Sequence, residues 1–213
     1  MSLDGEEPRG SMVEAVQQEV ERMIITGELE AGARISEQSI AERLGISRGP
    51  VREAFRALTE AGLLIGQRNR GVVVREIGRE ELRDLYQVRA AIEGELAAAA
   101  LERLTSDVLF EFDLVQRDMR DALKQQDTAR YFAANVQFDA ILVATCPNET
   151  LRDLHRSITR KMMLVRRRRL SGVDDMKRSF IAHSHLLEIL RKGDPDEVRT
   201  AFRNFILEAR DRL

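Results

Sequence analysis

SEQSIAERLGISRGPVREAFRALTEAGLLIGQRNRGVVV, running from Ser36 to Val74, is the stretch that decides how this chain folds. Ser36 is a residue type that caps helix N-termini, and Ser39 offers a second cap. Ile40, Ala41 and Leu44 then fall on one helical face, and Gly45 ends that helix in the left-handed conformation glycine tolerates. Ile46 reads as a single buried plug. Ser47 is placed to cap a further helix, Arg48 to Ala61, with Pro50 in its first turn, where a missing N–H is harmless. Val51, Ala54, Phe55 and Leu58 form the buried stripe of this helix, and Gly62 closes it. Two short helices joined by a tight glycine-containing turn make a helix-turn-helix.

The outward face of the second of these helices is basic. Arg48, Arg52 and Arg56 recur at i, i+4 and i+8 and so form one ridge. Arg48 and Arg52 lie at the N-terminal end, the end that enters the major groove in this motif. A planar guanidinium can take both acceptors of a guanine edge or grip a phosphate with two bonds. Gly49 carries no side chain, which lets backbone approach a duplex closely. Ser47 and the N–H groups of the first turn suit a phosphate. Leu63-Leu64-Ile65 and Val72-Val73-Val74 read as strands around a turn containing Arg68, Arg70 and Gly71, which makes a wing. Between Ser47 and Arg75 six arginines face two glutamates, a local excess of four positive charges in a chain whose net charge is −2. Any attraction to nucleic acid therefore comes from this local concentration and not from the whole chain.

The rest of the composition narrows the class. At 213 residues the chain has room for one large domain or two small ones. No apolar run approaches the length of a membrane span, and no signal peptide opens the sequence. A single cysteine, Cys146, excludes an internal disulfide and fits a reducing cytoplasm. Met1 to Ser11 is acidic and aperiodic, which predicts a disordered tail over residues 1–11. Met12 to Thr26 carries the apolar stripe Val13, Val16, Val20, Met23 and Ile24 and is predicted helical, with Gly27 as its stop. Arg34-Ile35 is placed for a very short strand. A winged helix-turn-helix domain over residues 12–75 follows.

Ser47-Arg48-Gly49-Pro50-Val51-Arg52-Glu53-Ala54, together with Asn69-Arg70-Gly71, resembles the winged helix-turn-helix of GntR-type bacterial transcription regulators. The resemblance spans roughly Met12 to Val74. It implies binding to double-stranded DNA at a palindromic operator as a homodimer. It also implies base or phosphate contacts by Arg48 and Arg52 and a wing carrying Arg68 and Arg70. Gln38 stands where such regulators often have another basic residue.

Beyond Arg75 the periodicity is helical throughout. Six stretches, beginning at Arg79, Ser106, Asp127, Asn148, Val173 and Pro195, are divided by breakers such as Cys146-Pro147-Asn148, Ser171-Gly172 and Gly193-Asp194-Pro195. The expected fold is mainly α: the winged domain, then an all-α antiparallel helical bundle over residues 79–213 whose interior can hold a small ligand. Arg89 shares an apolar face with Leu85, Ile92 and Leu96, and a guanidinium there needs a bidentate acid. Two acids qualify: Glu93 at i+4, or the carboxylate of a small metabolite competing with Glu93. Arg166 to Arg169 point all round a helix and read as a solvated helix end.

This half resembles the C-terminal ligand-sensing FCD domain of the FadR branch of the same family. The matching residues are Asp84-Leu85-Tyr86-Gln87-Val88-Arg89 with Glu93, and His183 with Leu186-Leu187-Glu188 and Asp194. Many such domains hold a divalent ion on an Asp and a His four apart and two later His. The corresponding positions here are Asn135, Asp139, His183 and Phe205. Phe205 cannot ligate, so the set leaves room only for a weak divalent ion and no cofactor is expected. The expectation is that Arg89, Asn135, Asp139 and His183 bind a small carboxylate effector directly, with His155 and His185 at the surface or in packing.

Taken together these readings describe a cytoplasmic, homodimeric, effector-controlled DNA-binding regulator, more naturally a repressor than an activator. Two alternatives stand beside it. Asp139 and His183 in a bundle could host metal-assisted hydrolysis, although no Ser-His-Asp set, phosphate loop or catalytic carboxylate pair is recognisable. An architectural DNA binder without effector predicts a wholly apolar bundle interior, which Arg89 and Asp139 oppose.

Overall fold

The computed structural model describes residues 9–67, 71–166 and 172–212, and it separates into two compact units, one ending at Ile77 and the other starting at Gly78. The first unit holds α1 (Arg9–Thr26), β1 (Arg34–Ile35), α2 (Glu37–Leu44), α3 (Arg48–Glu60), β2 (Leu64–Gln67) and β3 (Gly71–Val74). α1 starts at Arg9, inside the stretch expected to be a tail. The three strands form one antiparallel sheet in the order β1-β3-β2, with Ile35 opposite Val72 and Ile65 opposite Val73. Val16 and Val20 of α1, Val51, Phe55 and Leu58 of α3, and Leu64 and Val73 of the sheet are all buried and supply the core. Each such side chain contributes on the order of 1.5–3 kcal/mol by leaving water.

Local chemistry sets the turn between α2 and α3. The Ser36 hydroxyl accepts from the Ser39 amide and caps α2, and Gly45 ends it at φ 66°. A side chain there would be strained, because that conformation places Cβ against the carbonyl. Ile46 is half-buried and not a full plug. Ser47 sits at the N-cap of α3 in extended conformation, but its hydroxyl makes no capping bond, contrary to expectation. The side chain is exposed, so water competes for the bond that a buried cap would keep.

The second unit is all-helical among the described residues: α4 (Arg79–Ala100), a short 3-10 turn at Leu101–Arg103, α5 (Ser106–Gln125), α6 (Thr128–Thr145), α7 (Glu149–Arg166), α8 (Val173–Lys192) and α9 (Pro195–Asp211). Side chains cap several of these helices. Asp127 accepts from the Arg130 amide and Asn148 from the Leu151 amide. Asp194 accepts from both Asp196 and Glu197, with Pro195 opening α9. α4 lies along α9 and α7, and α5 packs on α6 and α8. Gly94 permits the close approach of α4 to α9, since a Cβ there would fall 2.7 Å from the Arg199 carbonyl oxygen. Leu96, Phe112, Met119, Tyr131, Phe138, Leu142 and Phe202 form the buried centre. Burial raises the Tyr131 phenol to about 12. No described helix is long and apolar enough to cross a membrane.

Candidate nucleic-acid interface and helical-domain cavity

α3 turns Val51, Ala54, Phe55 and Leu58 inward, and the same periodicity turns Arg48, Arg52 and Arg56 outward. Their side chains are 60%, 53% and 67% exposed, so the ridge read from the sequence is a solvent-facing one. Gly49 lies beside it. A Cβ at Gly49 would meet nothing closer than the Ser47 hydroxyl at 4.0 Å, so the fold itself does not demand glycine there. Gly71 begins β3 at φ 77°, where glycine is needed for the turn of the wing. Arg68 and Arg70, the predicted wing contacts, lie outside the described residues.

Glu37 was not singled out from the sequence. It stands in the first turn of α2, and its Oε2 accepts from Arg48 Nη2 at 3.2 Å and Arg52 Nε at 3.4 Å. One carboxylate thus bridges the two arginines nearest the N-terminus of α3. Exposed pairs of this kind contribute little to stability, about 0–1 kcal/mol. They do hold two flexible side chains in a shared orientation. No local spacing points to this contact, because Glu37 belongs to the preceding helix. Arg56 pairs instead with Glu53 at 3.0 Å. Gln38 donates to Glu42 at 2.9 Å.

In the helical unit a cavity of about 990 Å³ opens between α4, α6, α8 and α9. Arg89 and Tyr86 from α4, Asn135 and Asp139 from α6 and Arg178 and Ser179 from α8 line it, with an apolar wall that includes Leu186, Phe205 and Ile206. Three of the four predicted effector residues therefore meet here. His183 is not among the lining residues: it is 1% exposed and lies between the rings of Phe138 and Phe205, 4.7 and 5.0 Å away. Its Nδ1 donates to the Ser179 carbonyl at 2.7 Å, which leaves Nε2 as the acceptor for Asn135 Nδ2 at 3.2 Å. His183 thus orients Asn135.

Arg89 is the buried cation of this region, 4% exposed. Of the two acids considered for it, Glu93 is bonded to it, and Asp139 is a further partner. Nε donates to Glu93 Oε2 at 3.1 Å, and Nη2 donates to Asp139 Oδ2 at 3.2 Å. Glu93 is held from its other side by His155 Nε2 at 2.9 Å. His155, expected at the surface or in packing, is a buried member of this network. Burial alone would lower the Arg89 pKa, but the carboxylates of Glu93 and Asp139 outweigh it and raise it above the ordinary value. Burial would raise Glu93, yet Arg89 and His155 hold it below the usual carboxylate range.

Among the described residues no group of three or more His, Cys, Asp or Glu is gathered in a way that could hold a metal ion. Tyr86 precedes Arg89 by three residues, and Ser179 precedes His183 by four. Both are same-face neighbours on their helices, a spacing that points to them.

Each of the two units matches a known family description. The description "Bacterial regulatory proteins, gntR family" matches residues 12–74, and "FCD domain" matches residues 84–208. A "Probable D-xylose utilization operon transcriptional repressor" of Paenarthrobacter nicotinovorans is 30% identical over 178 residues, covering 81% of this chain and 76% of that protein. The "Nta operon transcriptional regulator" of Aminobacter aminovorans is 30% identical over 183 residues, covering 82% of this chain and 81% of that one. The solved structure of E. coli McbR/YncC has the same fold, with a TM-score of 0.82 at 22% identity, covering 93% of this chain and 94% of that one. These relatives are transcription regulators, so the enzyme alternative is set aside. The chain belongs to the GntR family of bacterial transcriptional regulators, as a DNA-binding regulator with a C-terminal FCD domain.

Proposed function

We propose that the chain is a cytoplasmic, homodimeric repressor of a metabolic operon, released from its operator by a small carboxylate effector bound in the helical unit. The observation that carries the DNA-binding half is the exposed ridge of Arg48, Arg52 and Arg56 on α3. In this reading Arg48 and Arg52 reach base edges or phosphates in the major groove of a palindromic site. Ser47 and Gly49 lie against the backbone, Arg56 contacts a phosphate, and Arg68, Arg70 and Gly71 form the wing contact.

On the effector side, Arg89, Asn135 and Asp139 touch the ligand and His183 positions Asn135. The effector exchanges with Asp139, not with Glu93 as the sequence suggested. Asp139 lines the cavity, whereas Glu93 is 2% exposed and also bonded to His155. The residues do not fit a resident metal. Phe205 has no donor atom, the His183 acceptor nitrogen already receives Asn135, and Asp139 carries Arg89. Arg89 sits on α4, the helix that directly follows the DNA-binding unit in sequence. A ligand that grips Arg89 can bias that helix, provided it binds the operator-competent and incompetent states unequally.

Selection of duplexes from a random pool tests the reading. Enrichment of a two-fold symmetric sequence, weakened by an organic acid that also raises the melting temperature, is expected. Failure to enrich any duplex at low salt would remove the operator assignment.

A further inference from the structure

We infer that the effector of this cavity is a zwitterion of the α-amino-acid type, carrying an ammonium group as well as a carboxylate. This rests on the carboxylate reading of the same site and narrows it. Arg89, the buried cation of the cavity, is already compensated, and Arg178 in the same lining pairs with Asp175. Arg89 is bonded to two carboxylates, Glu93 at 3.1 Å and Asp139 at 3.2 Å. The cavity lining sets Arg89, Arg178 and Arg212 against Asp139, Asp175 and Glu208, so it holds no excess of positive charge. A plain anion entering there meets no cation in excess and lies next to the Glu93 and Asp139 carboxylates, which repel it.

A zwitterion adds no net charge. Its carboxylate takes Arg89, which has more N–H donors than its two present contacts use. Its ammonium takes Asp139, which lines the cavity and accepts several hydrogen bonds as a carboxylate. The Arg89–Asp139 pair then splits around the ligand, each charge finding a new partner, while Glu93 stays on Arg89 and His155. Asn135, fixed by His183, supplies a neutral polar contact beside the pair. The cavity volume of about 990 Å³ exceeds what the two charged groups need. The remainder, walled by Leu186, Phe205 and Ile206, has room for the ligand's side chain.

The test uses the full-length chain and three matched sets: the common L-amino acids, their 2-hydroxy acids and their decarboxylated amines. Binding is measured by thermal shift and calorimetric titration. At least one amino acid binds about tenfold or more tighter than both of its counterparts, since each loses one charge-assisted contact. Asp139→Asn reverses the preference, weakening the amino acid and strengthening the hydroxy acid at the now less compensated Arg89. The wild-type comparison needs no variant and decides the matter even if Asp139→Asn fails to fold. Hydroxy acids binding as tightly as amino acids overturns the zwitterion but leaves the carboxylate reading intact. Amines alone binding, or no set binding at all, overturns both.

Discussion

Replacing Arg89 with methionine keeps much of the side-chain volume and removes the charge that Glu93 and Asp139 share. Glu93 is closed off from water at 2% exposure and Asp139, at 8%, only meets the cavity, so neither is fully solvated where it stands. Breaking a buried pair from one side costs about 3–5 kcal/mol. The cheapest escape for a stranded acid is to take up a proton. From an ordinary value near 4.3 that costs roughly 3.7 kcal/mol at pH 7 but only about 1 kcal/mol at pH 5. The variant is therefore destabilised by about 4 kcal/mol at pH 7, with most of the loss recovered at pH 5. At about 2–4 °C per kcal/mol for a chain of this size, the melting point falls by roughly 8–15 °C at pH 7 and by roughly 2–4 °C at pH 5. Scanning calorimetry of wild type and variant at the two pH values measures this directly. Equal deficits at pH 7 and pH 5 would refute the reasoning, because a packing defect does not depend on protons.

Three further outcomes follow from particular residues. Glu93 has a folded value below its unfolded one, so the unfolded chain takes the proton first. Its contribution to stability is complete above about 4.5 and is lost as pH falls through the folded value. Glu93→Gln flattens that acid limb of a stability-against-pH curve, and an unchanged limb contradicts the assignment. Gly49→Ala keeps or raises stability by up to about 1 kcal/mol through helix propensity, while weakening operator binding. Operator binding at wild-type strength would mean that no duplex approaches there. Glu37→Gln changes stability by less than about 1 kcal/mol but frees Arg48 and Arg52. Affinity for scrambled duplex rises and discrimination falls, as competition titrations with the two duplexes would register; unchanged discrimination removes Glu37 from the interface.

The DNA-binding unit was legible because its determinants are local. Capping serine, first-turn proline, stop glycine and basic ridge all sit within one or two turns of each other between Ser36 and Gly62. Glu37 escaped because its partners are in the next helix, and only the angle between the two helices brings them together. The same boundary runs through the cavity. Glu93 could be named for Arg89 because four residues on a helix place two side chains on one face. Asp139, 50 residues away, and His155, 62 residues from Glu93, could not be paired by spacing. His183 was grouped with Asn135 and Asp139; it bonds to Asn135, but nothing in its sequence setting revealed that it lies between two phenylalanine rings and outside the cavity lining. Ser47 shows the limit on the local side: a residue type suited to capping occupies the N-cap, yet its hydroxyl faces solvent.

Sequence discrimination by this chain is assigned to Arg48 and Arg52 on α3. Fluorescence anisotropy of the wild-type chain and Arg52→Ala, each against a selected palindromic duplex and its scrambled counterpart at several salt concentrations, tests it most directly. The variant is predicted to lose about 1–3 kcal/mol on the palindrome, more than it loses on the scrambled duplex. Equal affinities of variant and wild type for both duplexes at every salt concentration would contradict the account.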